Sequence, residues 1–157
     1  MEDLLNRLRS QATVPSPKDR ETGLPKRYIA NLSSQEKSKQ VKAIEKSMKE
    51  YEKTGKVYTR PRIGGESKRS PFVKRFQELY GFPITDVKRV KQEFPSTDVE
   101  TILSKGRAAY ASGSRPNQTP SSWAFARLAS VLTGGKALAV DKDEVGKSDL
   151  KKILESK

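Results

Sequence analysis

Apolar side chains recur along this chain at spacings of three and four, in short runs that Gly and Pro repeatedly interrupt, so the pattern predicts helices and little else. Leu4, Leu5 and Leu8 share a face of a short amphipathic segment over 2–10, and Pro15, Pro17, Gly23 and Pro25 then make 11–32 an extended arm. Ser33 with Glu36 forms a capping box behind Leu32, and the helix it starts runs to about Lys53 with Val41, Ile44, Met48 and Tyr51 in one narrow stripe. Residues 54–69 combine Gly, Pro and five cations with almost no periodicity, which predicts a cationic loop; its 56–63 stretch is the one strand candidate.

Ser70-Pro71 caps a helix carrying Phe72, Val73, Phe76, Leu79 and Tyr80, closed by Gly81. Thr85-Asp86 opens a shorter one with Val87, Val90 and Phe94, and Thr97 with Glu100 makes a second capping box for a helix bearing Val99, Ile102, Leu103 and Tyr110. Thr119-Pro120 starts the helix of Trp123, Ala126, Leu128, Val131 and Leu132, which Gly134-Gly135 stops. Ser148 caps a last amphipathic turn or two with Leu150, Ile153 and Leu154. The fold class expected is mainly α: a small helical domain over about 70–140, an extended basic N-terminal arm, a cationic loop and a short C-terminal helix, divided as 1–69 and 70–157.

Composition limits what such a fold can be. Hydrophobic residues make up 33% of the 157 and charged residues 32%, against about 45–50% apolar in an ordinary globular chain, so the core is thin. Thirty-two Lys and Arg against nineteen Asp and Glu leave +13, which attracts polyanions. The N-terminal part dominates: 22 basic and 12 acidic side chains lie in 1–95, 10 and 7 in 96–157. Cys and His are both absent, which removes disulfides, most zinc sites, the usual neutral-pH general base and Cys–His or Ser–His nucleophile pairs. No run reaches the roughly 20 apolar residues a membrane span needs, and the N-terminus lacks a signal-peptide pattern. These features lead us to expect no catalysis, no metal, no cofactor and no small-molecule substrate.

Three motifs carry less chemistry than they first suggest. Thr133-Gly134-Gly135-Lys136 lacks the spacing of a phosphate-binding loop and ends a helix. In Asp141-Lys142-Asp143-Glu144-Val145-Gly146, the fifth and twelfth positions of a calcium loop are Val145 and Lys152, so an acidic turn fits better. The pairs Asp98/Glu100 and Asp141/Asp143 sit at helix starts or turns, where the helix dipole favours acids.

Two stretches remain as candidate interfaces. Cations from Lys18 to Arg75 interleave with Tyr28, Tyr51, Tyr58 and Phe72, either a solvated lysine helix or a surface that contacts phosphates; Lys26, Arg27, Lys39, Lys42, Lys46, Arg60, Arg62, Lys68 and Arg69 are its polyanion-binding candidates. Arg115-Pro116-Asn117-Gln118-Thr119-Pro120-Ser121-Ser122-Trp123 is either a rigid turn leading to a core tryptophan or an interface in which polar donors surround a tryptophan anchor. Its partner-binding candidates are Arg115, Asn117, Gln118, Trp123, Arg127 and Lys136.

Together with Gly113-Ser114 before it, and Ala126-Arg127-Leu128-Ala129-Ser130 and Thr133-Gly134-Gly135-Lys136-Ala137 after it, the second stretch resembles a family of small basic virion-associated proteins of large icosahedral double-stranded DNA viruses, notably the chlorella viruses. Pro25-Lys26-Arg27-Tyr28-Ile29-Ala30-Asn31-Leu32-Ser33 and the lysine helix behind it resemble that family's other signature, and the matching segments cover about half the chain. The resemblance implies a minor capsid protein on the inner face of the virion shell. Its partners would be the major capsid protein and neighbouring minor capsid proteins, with genomic DNA or an anionic inner membrane nearby. The second expectation is a packaged, non-specific DNA-binding protein that condenses or tethers the genome. Residues 11–32 and 54–69 are expected to be mobile unless neighbours clamp them.

Overall fold

The computed structural model describes residues 18–20, 22–63 and 70–156. The predicted segment at 2–10, all of the arm before Lys18, and Lys68 and Arg69 lie outside them. Seven α-helices fill the described residues: α1 (Ser34–Thr54), α2 (Pro71–Tyr80), α3 (Val87–Glu93), α4 (Val99–Ala111), α5 (Pro120–Leu132), α6 (Lys136–Asp141) and α7 (Lys147–Glu155). Short 3-10 turns occupy Lys26–Tyr28 and Lys142–Glu144. Among the described residues there is no strand, only isolated bridges between Lys18 and Pro25 and between Thr97 and Val145, so the fold is mainly α as the pattern predicts.

The helix starts follow local chemistry. Ser33 accepts from the Glu36 amide at 3.2 Å and Glu36 accepts from the Ser33 amide at 3.0 Å, the reciprocal capping box. Ser70 caps α2 with Pro71 in the first turn, and Asp86 caps α3. Thr119 and Ser122 exchange amide-to-hydroxyl bonds of 2.9 and 3.0 Å at the start of α5. One start differs from expectation. Asp98, one residue after Thr97, caps α4 by accepting from the Thr101 amide at 3.1 Å, because the Thr97 hydroxyl donates to Asp149 at 2.7 Å instead.

The chain divides into two compact units that interleave in sequence, one of 18–63 with 106–123, the other of 70–105 with 124–156. The second unit holds a contiguous apolar core. Phe76, Phe82, Ile84, Val90, Phe94, Ile102, Leu128, Leu132, Leu138 and Ile153 are buried in it. Four rings interlock at its centre: Phe76 lies edge-on to Phe82 at 5.3 Å and Tyr80 edge-on to Phe94 at 5.1 Å, geometries worth about 0.5–1.5 kcal/mol each beyond area burial. The core reaches past 140 to Leu154, so the C-terminal helix packs into it.

Gly134 ends α5 in the left-handed region at φ +76°, yet Gly135 begins α6 at once. A Cβ on Gly135 would stand 2.5 Å from Ser130 Oγ and 2.6 Å from the Phe72 ring. The double glycine is therefore a tight corner between two helices.

Two buried acids tie the second unit together. Asp149 accepts from the Ser96 amide at 3.0 Å as well as from the Thr97 hydroxyl. Asp141, with no exposed surface, takes a two-pronged bond from Arg127, 2.7 Å from Nε and 2.8 Å from Nη2. This bond holds the Arg127 guanidinium pKa above its ordinary value, and the acidic turn after Asp141 serves as a structural corner.

Candidate partner-binding site

The first unit is built differently. Its buried apolar side chains are Ile29, Ile44, Tyr110 and Ala111, and polar ones share the interior: Gln40, Ser47, Arg60 and Ser114. Arg60 is the hub. Its Nη1 donates to the Tyr110 carbonyl at 2.6 Å and to Ser47 Oγ at 3.2 Å, its Nη2 donates to Ser114 Oγ, and its guanidinium lies 3.8 Å over the Tyr110 ring. Burial pushes this guanidinium's pKa down, partly offset by Tyr110 and Tyr28. Its hydrogen-bond acceptors are neutral oxygens, so charge-assisted bonds of about 1.5–3 kcal/mol each and the face of an aromatic ring stabilise the cation in place of a carboxylate.

Gln40 performs a similar service from α1. Its Nε2 donates to the Tyr28 and Ser114 carbonyls, both at 3.1 Å, which fastens the arm and the 112–119 loop to one helix face. The Tyr110 hydroxyl accepts from the Arg60 amide at 2.9 Å and donates to the Gln118 carbonyl at 3.0 Å. Asn117, itself left-handed at φ +62°, accepts from the Ile63 amide at 2.7 Å. Thus Tyr28, Arg60 and Ile63 each bond to the chain's own residues. Such bonds from Gln40, Tyr110 and Asn117 have no counterpart in the apolar periodicity on which the expectation of mobile 11–32 and 54–69 segments rested.

The residues singled out from the sequence separate into distinct places. Arg115 is exposed, Asn117 and Gln118 are half-buried within the loop network, and Trp123 is half-buried with its ring edge-on to Tyr28 at 6.1 Å. Arg27 lies 4.9 Å over the other partner of that pair, the Tyr28 ring. Arg127 and Lys136 belong to the second unit, the former bound to Asp141 and the latter exposed at the start of α6. Among the polyanion candidates, Lys26, Lys39, Lys42, Lys46 and Arg62 are exposed.

Arg60 is a correction: at 8% exposure with Nη1 and Nη2 both bonded inside the unit, it is an internal strut and not a surface cation. Sequence reasoning also passed over Gln40, Ser47 and Ser114, for which no local signal exists. Exposed on the same unit are Met48, Tyr51 and Tyr58, the last at 55%. Residues 18–63 and 106–123 include fifteen basic and six acidic residues, so this unit carries +9 of the chain's +13.

The chain belongs to a family of unknown function, DUF5824, matched over residues 25–151. The family's span begins at the proline that opens the 3-10 turn of the arm and ends inside α7, so it takes in the Arg60 network and nearly all of the second unit's core. No curated protein and no solved structure matches the chain.

Proposed function

We propose that this chain is a non-enzymatic structural protein of a large DNA virus particle, a minor capsid protein that bridges capsomers from the inner side of the shell. The observation that carries the binding role is the composition of the first unit. It buries few apolar groups, builds its interior from directed hydrogen bonds, and leaves Met48, Tyr51 and Tyr58 exposed at the surface of a unit rich in lysine. A surface of that kind gains burial and charge compensation when neighbours cover it. The viral setting is supported by the resemblance of the 25–33 and 113–137 segments. Partners are then the major capsid protein and adjacent minor capsid proteins.

The test is to locate the chain in intact particles and to compare wild type with Arg115→Ala, an exposed position whose loss leaves the unit's interior untouched. The expected result is density at fixed, symmetry-related sites under the shell, with occupancy reduced several-fold by R115A. Release of the protein together with the DNA, with no fixed site in the shell, would overturn the proposal.

A further inference from the structure

We infer that the outer face of α1 is a docking stripe for the phosphate backbone of nucleic acid, bound without regard to sequence. Lys39, Lys42, Lys46, Lys49 and Lys53 are all exposed, and their spacing of three, four, three and four places them within an arc of about 80° on a helix of 3.6 residues per turn. The buried side chains Gln40, Ile44 and Ser47 lie on the opposite side. At about 1.5 Å per residue the stripe is about 21 Å long, a length over which one strand of a duplex presents about six phosphates. No acid falls inside the arc. Glu45 and Glu52 flank one edge of it and Glu50 the other, where Glu50 approaches Lys46 at 3.9 Å with both side chains exposed, a pair that contributes little in water.

That narrowness decides the class of ligand. A line of charge with acids along both margins matches a strand of phosphates, which meets the lysines and bypasses the glutamates. A flat anionic membrane would meet both. An interfacial helix also inserts an apolar face into the lipid, and Ile44 of α1 is already buried in the unit's own interior. Anchoring by Gln40 to two carbonyls fixes the rotation of the helix, so the lysines stand outward without rearrangement.

The inference goes beyond a place in the capsid and does not depend on it, so either can fail alone. The experiment is fluorescence anisotropy of a random-sequence duplex with the full chain, titrated over salt. Each phosphate contact contributes about −0.9 to the slope of log Kobs against log salt. Lys42→Gln/Lys46→Gln/Lys49→Gln is expected to flatten that slope by about 2.7 on this basis, with far-ultraviolet circular dichroism unchanged. The matched control Lys74→Gln/Arg75→Gln/Lys88→Gln, which removes the same charge from exposed positions of the second unit, is expected to leave the slope nearly as it was. Equal flattening by both triples, absence of duplex binding, or binding to phosphatidylserine vesicles in preference to duplex would overturn the inference.

Discussion

Removing Arg127 tests the reading of the second unit most directly, because the pair it forms with Asp141 is asymmetric. The Asp141 side chain has no exposure and the Arg127 side chain has 23%. Arg127→Met keeps the aliphatic stem in place and strands a buried carboxylate, whose other cation, Lys105, sits at 4.0 Å and is largely committed to Glu144 at 2.9 Å. Breaking a buried pair by removing one partner costs about 3–5 kcal/mol. Asp141→Ala leaves the guanidinium instead, which retains a route to water, so its cost is expected near the lower end of that range. The double variant Arg127→Met/Asp141→Leu leaves no unpaired charge and is expected to recover much of the loss, since well-packed apolar pairs often replace buried ion pairs without penalty. Urea unfolding followed by near-ultraviolet circular dichroism gives all three values. A cost below about 1 kcal/mol for R127M, or D141A costing more than R127M, would refute the argument that the enclosed carboxylate needs the guanidinium, since a surface pair would give that pattern.

Other consequences can be checked separately. Arg60→Lys keeps the charge and loses both the planar fork and the stacking on Tyr110, so hydrogen exchange at 56–63 and 110–118 is expected to speed up by at least tenfold, the equivalent of one charge-assisted bond of about 1.5 kcal/mol; unchanged exchange would mean that Arg60 is not the hub. Gly113 stands at φ +139°, and a Cβ there would meet Tyr28 Cε2 at 2.6 Å, so Gly113→Ala is expected to shift the Tyr28 and Trp123 ring resonances and lower the melting temperature. Hydrogen bonds depress the folded pKa values of Glu36, through the Ser33 amide, and of Asp98, through the Thr101 hydroxyl and amide. Their stabilisation is therefore present above the unfolded carboxylate pKa and lost as pH falls through the folded one. NMR titration should give both carboxyls midpoints below the ordinary range, and midpoints at or above it would remove the caps from the account.

Those two acids also mark where the sequence was legible and where it was not. Ser33 and Glu36 are three residues apart and satisfy each other, so pattern alone located the start of α1; Ser70-Pro71 and Thr119-Pro120 were equally local signals. The cap at Asp98 was misplaced onto Thr97 because the competitor for the threonine hydroxyl, Asp149, lies 52 residues away. The same distance effect hid α6. Two glycines in succession read as the end of a helix, and only the packing of Phe72 and Ser130 against Gly135 explains why the chain turns a corner and resumes. Arg60 misled for a related reason: a cation in a Gly/Pro-rich stretch reads as solvated, and its acceptors come from positions 13, 50 and 54 residues along the chain.

The two interiors have different consequences for what each unit can hold still. An apolar core such as that around Phe76 and Phe94 specifies burial more strongly than orientation, and it tolerates substitutions that conserve volume. Directed bonds from Gln40 and Arg60 specify orientation, because each fails when its donor turns away from the acceptor. With Gln40 held by the Tyr28 and Ser114 carbonyls and Ser47 by Arg60, one face of α1 is pinned at two points seven residues apart. A helix pinned twice on one side cannot roll, so the lysines on its other side form a fixed line. Such a line pays less conformational entropy on meeting a linear partner than the same charges on a mobile arm. A chain with so little apolar matter thus obtains a rigid cationic surface by placing polar groups, one of them a full charge, where apolar ones would normally go.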